Sequence, residues 1–213
     1  MTTPRRLQWL LPLFLLASIS TRADSAQVYV NGSYAFADHG YGIGPYGGTL
    51  DGVNASFYCV DFNHDIVGQT GWSATVTNLP TSTSVALPGT LLGTSTLYLD
   101  MAWMITQMMG TTNHTLEAEY QWAIWSLSVG SNPAAPNDPY HMNGVLIGNA
   151  QTAVNGGWSA SGWEILTPVA GTGYPGRPGY YGQEFMVVAT PEPPPILLLL
   201  VGLAGLALFA LKK

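Results

Sequence analysis

Leu116 to Gly130, LEAEYQWAIWSLSVG, reads as an apolar helix with a glutamine in its middle, in a chain that carries a single cysteine. Leu116, Tyr120, Ala123, Ile124 and Leu127 recur at the three-and-four spacing of one helix face. Glu117 and Glu119 fall in the first turn, where the helix dipole favours negative charge; Thr115 is placed to cap the start and Gly130 to end the helix. Gln121 lies between Tyr120 and Trp122 and one turn before Trp125, so its primary amide is expected to be shut away from water. An amide in that position must find hydrogen-bond partners or lose its polar character.

Working outward, Thr96 to Met109 repeats the helical pattern through Leu97, Met101, Met104, Ile105 and Met108 and stops at Gly110. Its methionines read as core rather than as a soft-metal stripe. Met142 to Asn155 is a candidate third helix, after the proline-rich loop Ser131 to Tyr140. On the N-terminal side, Asn54 to Phe62 is a strand that turns Cys59 to the face opposite Tyr58 and Val60, and Trp72 to Asn78 alternates as another. Gln27 to Ala37 reads as a strand or tight hairpin interrupted at Asn31-Gly32, and His39 to Gly48, HGYGIGPYGG, as a loop. Leu79 to Gly93 is a connection rich in Thr, Ser, Pro and Gly. Trp163 to Ala170 and Gln183 to Ala189 read as late strands joined by the loop Gly171 to Gly182. The fold class is therefore α+β, a mostly antiparallel sheet or sandwich with an inserted helical segment that brings Gln121 to the Cys59 strand.

Length and composition set the ends apart from this domain. The chain has 213 residues, 47% of them hydrophobic and only 8% charged. Residues 1–23 have Arg5 and Arg6, the apolar run Leu10 to Ala17 and the small-residue site Thr21-Arg22-Ala23, which read as a cleaved secretory signal, with cleavage after Ala26 as a second reading and twin-arginine export as a weaker one. Ile196 to Leu211 is an uncharged Leu, Gly and Ala run before Lys212 and Lys213, the pattern of one C-terminal transmembrane helix with a cytoplasmic basic tail. At about 1.5 Å per residue it reaches roughly 24 Å, a little short of a hydrocarbon core of about 30 Å, as suits a transient inner-membrane anchor. Between the ends, residues 24–189 carry Arg177 against eleven carboxylates, a formal charge of −10. Such a surface argues against nucleic acid and anionic membrane as partners of the domain.

Metal and hydrolase chemistry find little support. Asp61, Asn63 and Asp65 make a DxNxD fragment, but Ile66 stands where a calcium loop needs glycine and Trp72 where it needs glutamate, so a polar turn is expected, with no metal and no cofactor. A lone cysteine in an exported domain is a buried small hydrophobe, an intermolecular disulfide partner or a reactive thiol.

Two stretches carry a resemblance to known families. Thr190 followed by Pro191, Glu192 and Pro193, the apolar run and the terminal lysines resembles the PEP-CTERM sorting signal, residues 190–213. That resemblance implies recognition by an exosortase during export and removal of the tail, with the cell envelope, cell surface or extracellular matrix as destination. Phe57-Tyr58-Cys59-Val60-Asp61 and, sixty-two residues on, Tyr120-Gln121-Trp122-Ala123-Ile124-Trp125 resemble the paired signatures of bacterial surface thioester domains, best known from Gram-positive adhesins. The resemblance covers Asn54 to Gly130 and implies a thiolate from Cys59, an amide carbon from Gln121 and Trp125 as the residue packed beside it. Tyr120 departs from the threonine many members have, and the sorting signal belongs to a different type of envelope.

The chemistry stands without the family name: a Cys59 sulfur that reaches the Gln121 carbonyl expels ammonia and leaves an acyl group activated for one later transfer. Tyr58, Tyr120, Trp122 and Trp125 would keep water out, and His64 or His114 are candidate bases. The expected function is covalent attachment to an amine-bearing surface macromolecule or matrix polymer, used once per molecule rather than as an enzyme. Two alternatives stay open. One is a non-covalent structural or carbohydrate-contacting matrix protein, with Trp72, Trp158, Trp163, Tyr174, Tyr180 and Tyr181 as sugar-stacking faces; the other is a cysteine hydrolase built on Cys59 and a histidine.

Overall fold

The computed structural model describes residues 25–64, 70–129, 138–171 and 182–189, all within the compact unit Ala23–Ala189. The expected signal peptide, the sorting motif Pro191-Glu192-Pro193, the expected transmembrane run and most of the loop Gly171 to Gly182 lie outside the described residues. Among the described residues no helix is long and apolar enough to cross a membrane.

The domain is α+β, as its patterning implies, but the sheet closes on itself instead of forming a sandwich. Six antiparallel strands run in the order β1 (Ser25–Val30), β4 (Tyr46–Leu50), β5 (Val53–Cys59), β8 (Phe185–Val188), β7 (Trp163–Pro168) and β6 (Thr70–Asn78), and β6 pairs back onto β1. β2 (Phe36–Asp38) and β3 (Tyr41–Ile43) form a separate two-stranded sheet. Three helices, α1 (Ser95–Met109), α2 (His114–Val129) and α3 (Asn143–Asn155), the last being the candidate third helix, are inserted between β6 and β7.

Alternation along each strand separates two hydrophobic clusters. In β1 the buried positions are Ala26, Val28 and Val30; with Phe57, Cys59, Trp72, Ala74, Leu166, Phe185 and Val187 from the other strands they make one cluster. A cluster fed by nearly every strand of a closed sheet is the barrel interior. The opposite face of β5, β7 and β8 supplies Tyr58, Val60, Trp163, Ile165 and Met186 to the second cluster, which they share with the helices. Cys59 thus points inward and Tyr58 and Val60 outward, as the strand reading requires. Met101, Met104 and Met108 are buried in the helical cluster, so the methionine stripe is core.

Three local expectations are corrected. His39 to Gly48 is not a loop, since β3 and the start of β4 fall inside it. Gly48 misleads because it serves close packing: it pairs with Val30, and a Cβ there would lie 1.9 Å from the Tyr29 carbonyl oxygen. Gln27 to Ala37 is neither one strand nor one hairpin; β1 ends before Gly32, which has φ 82°, and β2 pairs with β3. The cap of α2 is Asn113 rather than Thr115, its side-chain oxygen accepting from the amides of Thr115 at 3.0 Å and Leu116 at 3.3 Å. Helix α2 therefore begins at His114, so Glu117 lies in its first turn and Glu119 beyond it. Gly130 lies outside the described residues.

Two acids are buried beside the helices. Glu184, just before β8, accepts hydrogen bonds from Tyr98, from Thr167 at 2.5 Å and from the Leu91 amide at 3.0 Å, tying the Leu79 to Gly93 connection and α1 to the barrel; burial raises its pKa above the ordinary value. Asp100 of α1 is 1% exposed, its Oδ2 has no partner, and burial raises its pKa from 3.8 to about 6. The unfolded chain gives up this proton more readily than the folded one, so the folded state loses stability as pH rises from about 4 through about 6. Asp100→Asn removes that loss. It is expected to stabilise the fold by on the order of 2 kcal/mol at neutral pH and to change little at pH about 4, read from denaturation midpoints at the two pH values.

Candidate reactive site

Cys59 is the last residue of β5, at the seam where this strand meets β8 through the pairs Tyr58 with Met186 and Cys59 with Phe185. Helix α2 reaches Cys59 through Gln121 and Trp125 and has both of its faces covered. Leu116, Tyr120, Ala123, Ile124 and Leu127 pack into the helical cluster, while Ala118, Trp122 and Trp125 join the barrel interior. Gln121 lies between the two faces. Both Cys59 and Gln121 are 0% exposed.

The two residues share one backbone group. Gln121 Nε2 donates to the carbonyl oxygen of Cys59 at 2.9 Å, across the sixty-two residues that separate them. Its Oε1 is buried and has no hydrogen-bond partner. Gly44, between β3 and β4, backs this oxygen: a Cβ there would lie 3.6 Å from Oε1 and 3.7 Å from the Tyr58 ring. The sulfur has polar neighbours of its own. Trp125 Nε1–H donates to Sγ at 3.3 Å, and the thiol donates to the Asp61 carbonyl at 3.3 Å. A donor aimed at sulfur favours negative charge developing there, and an unpartnered amide oxygen in a dry site leaves the amide half-satisfied.

Trp125, the ring against the sulfur, belongs to an aromatic wall. The rings of Trp122 and Trp125 lie 5.2 Å apart, and Phe62 lies 5.4 Å from Trp125 and 6.3 Å from Trp122. The Phe62 amide is tied to α2 through Ser128 Oγ at 3.4 Å. Tyr41 of β3 lies over the other three, 5.4 Å from Trp122, 5.9 Å from Trp125 and 5.4 Å from Phe62. Beside it, Asp38 accepts from Trp122 Nε1 at 2.8 Å, from Tyr140 at 2.8 Å and from His39 at 2.9 Å. Burial pushes the Asp38 pKa up, but the hydrogen bonds from Trp122, His39 and Tyr140 together outweigh it and leave the value lowered.

The residues singled out from sequence divide into three groups. Cys59, Gln121 and Trp125 come together. Tyr58 and Tyr120 lie behind them, on the helical side: Tyr58 packs edge-on against Trp163, and Tyr120 against Trp103. Tyr58 borders the site at Gly44, and Tyr120 packs into the helical cluster. The histidines separate as well. His64 Nδ1 is 2.6 Å from Oδ2 of Asp61, the residue whose backbone carbonyl accepts the thiol, whereas His114 sits at the start of α2 with Glu117 at 3.0 Å and Phe36 at 4.5 Å.

Asp61 makes the expected polar turn. Its Oδ1 accepts from the Asn63 amide at 3.0 Å; Asp65 lies outside the described residues. Trp72 and Trp163, weighed as sugar-stacking faces, are buried, and Trp158 packs against the helical cluster; Tyr174, Tyr180 and Tyr181 lie outside the described residues.

Sequence reasoning missed Gln183, Tyr41 and Asp38. Gln183 is buried and donates to the Asp61 carbonyl at 2.6 Å, sharing that acceptor with the Cys59 thiol. No spacing links residue 183 to the Cys59 motif, whereas the aromatic density around Tyr41 was a visible signal obscured by its glycines. Comparison of the chain with family models, with characterised proteins and with solved structures returns no match.

Proposed function

We propose that this is an exported cell-surface or matrix protein that joins covalently to an amine-bearing target through a thioester between Cys59 and Gln121. The observation that carries the reading is the fully buried Gln121 amide held on the Cys59 backbone, with Oε1 unpartnered and the Cys59 sulfur under the Trp125 N–H. An unpartnered amide oxygen costs about 1–3 kcal/mol in a dry interior; the carbonyl oxygen of a thioester is a weaker acceptor than that of an amide, so conversion lessens the cost of leaving Oε1 unpartnered while giving up the Nε2 bond to the Cys59 carbonyl.

The step balances without a cofactor. The Cys59 sulfur bonds to the Gln121 side-chain carbonyl carbon, the carbon–nitrogen bond breaks, and the thiol proton leaves with the nitrogen as ammonia. A primary amine of the target then attacks the same carbon, forming an amide and returning the proton to sulfur as the Cys59 thiol. Trp125 supports the sulfur in both steps, and the wall of Trp122, Trp125, Phe62 and Tyr41 restrains hydrolysis by excluding water. His64, held by Asp61, is the candidate base for this proton movement. The sorting signal would supply the exosortase as a partner and the membrane as a transient anchor during export.

Incubation with a fluorescent primary amine tests the reading. The wild-type chain is expected to retain label through denaturing electrophoresis and Cys59→Ala to retain none. Equal labelling of the two would place the reaction away from Cys59.

A further inference from the structure

The reactive pair has no exposed atom to offer a macromolecule, so its use requires a way in, and one element stands over it. β2 and β3 form a sheet outside the barrel, joined through three residue pairs from Phe36 with Ile43 to Asp38 with Tyr41. An isolated two-stranded hairpin is marginal in water, so the position of this one depends on what it lies against. It lies against α2 and its neighbours. Asp38 is bonded to Trp122 and Tyr140, and the Tyr41 ring rests on Trp122, Trp125 and Phe62. Trp125 is the residue whose N–H reaches the sulfur.

Tyr41 is 43% exposed, while Trp122 and Trp125 are buried and Phe62 half-buried. One side of the Tyr41 ring therefore meets solvent, and the other covers the wall over Cys59. Lifting the Asp38–Tyr41 tip of the hairpin, with Ile43 left buried in the barrel interior, breaks the Asp38 bonds to Trp122 and Tyr140 and the ring contacts of Tyr41 and His39, and leaves the barrel ladder intact. Openings of this kind lie well below global unfolding in free energy.

We infer that the β2–β3 hairpin is the closure over the Cys59–Gln121 pair, with Tyr41 as the side chain an incoming amine displaces and Asp38 as the latch that holds it down. The inference rests on the proposed reading of that pair as reactive. Tyr41 acts through Trp125 and is a positioning residue.

The test compares the full wild-type chain with Tyr41→Ala, Tyr41→Phe and Tyr29→Ala, the last removing an exposed tyrosine of β1 as a control. If the wild-type chain is short by one ammonia, the rate measured is methylamine uptake; if it is not, the rate is modification of the Cys59 thiol in the folded chain by a small thiol reagent. Tyr41→Ala is expected to accelerate either reaction about tenfold or more, while Tyr41→Phe and Tyr29→Ala stay near the wild-type rate and denaturation midpoints change little. An unchanged rate in Tyr41→Ala overturns the closure, as does an acceleration matched by lost global stability or shared by Tyr29→Ala. Acceleration of thiol modification in a chain that never lost ammonia would overturn the thioester and keep the hairpin as the closure over the cysteine.

Discussion

Gly48→Ala is expected to prevent closure of the barrel. The added methyl would lie 1.9 Å from the Tyr29 carbonyl oxygen and 2.9 Å from the Phe57 ring, and the first of these is backbone of the paired strand β1. No rotamer relieves that contact; β1 and β4 must separate. The separation breaks the pairing of Val28, Tyr29 and Val30 with Leu50, Thr49 and Gly48, on the same β1 that also pairs with β6. A loss of more than about 3 kcal/mol is expected, large against the 5–15 kcal/mol of a typical domain. Denaturant unfolding beside a Gly52→Ala variant checks it. Gly52 has open space around its Cβ position but φ of 80°, so only a modest strain cost is expected there.

The second large effect is chemical. Gln121→Glu keeps the size of the side chain and exchanges the amide nitrogen for oxygen. The nitrogen is both the donor to the Cys59 carbonyl and the group that departs as ammonia in the proposed reaction. Amine incorporation should therefore fall to the background level of Cys59→Ala. A stability loss of about 1–3 kcal/mol should accompany it, because a buried acid replaces a donor that was hydrogen-bonded. Far-ultraviolet circular dichroism would establish that the variant is folded, and undiminished incorporation in such a chain would locate the acyl carbon on another residue.

The parts of this molecule that were legible in its sequence are those governed by short-range periodicity. Helix α2 could be read from Leu116 to Leu127, and the inward turn of Cys59 from the alternation around Tyr58 and Val60. Its Asn113 cap was missed because Thr115 is also a capping type, closer to the apolar run, and backbone geometry chooses between them. The His39 to Gly48 stretch was misread for a physical reason. Glycine marks a turn when its φ is positive, as at Gly40, but at Gly48 it marks the close approach of two strands, and sequence does not distinguish the two uses.

Barrel closure was beyond reach because it rests on pairs distant in sequence, Tyr58 with Met186 and Cys59 with Phe185. In the site, the meeting of Cys59 with Gln121 was anticipated from paired motifs. The parts contributed by β2, β3 and Gln183 were not, since their role depends on where the closed sheet carries them.

The intact mass of the purified wild-type chain, set beside that of Cys59→Ala before and after methylamine, bears most directly on the central claim. The account predicts a wild-type chain one ammonia lighter than its composition requires, converted by methylamine to a stable adduct with a newly reactive thiol, and a variant at its full calculated mass that takes up nothing. A wild-type chain at full calculated mass, with Cys59 alkylated on unfolding and no adduct after methylamine, would contradict it.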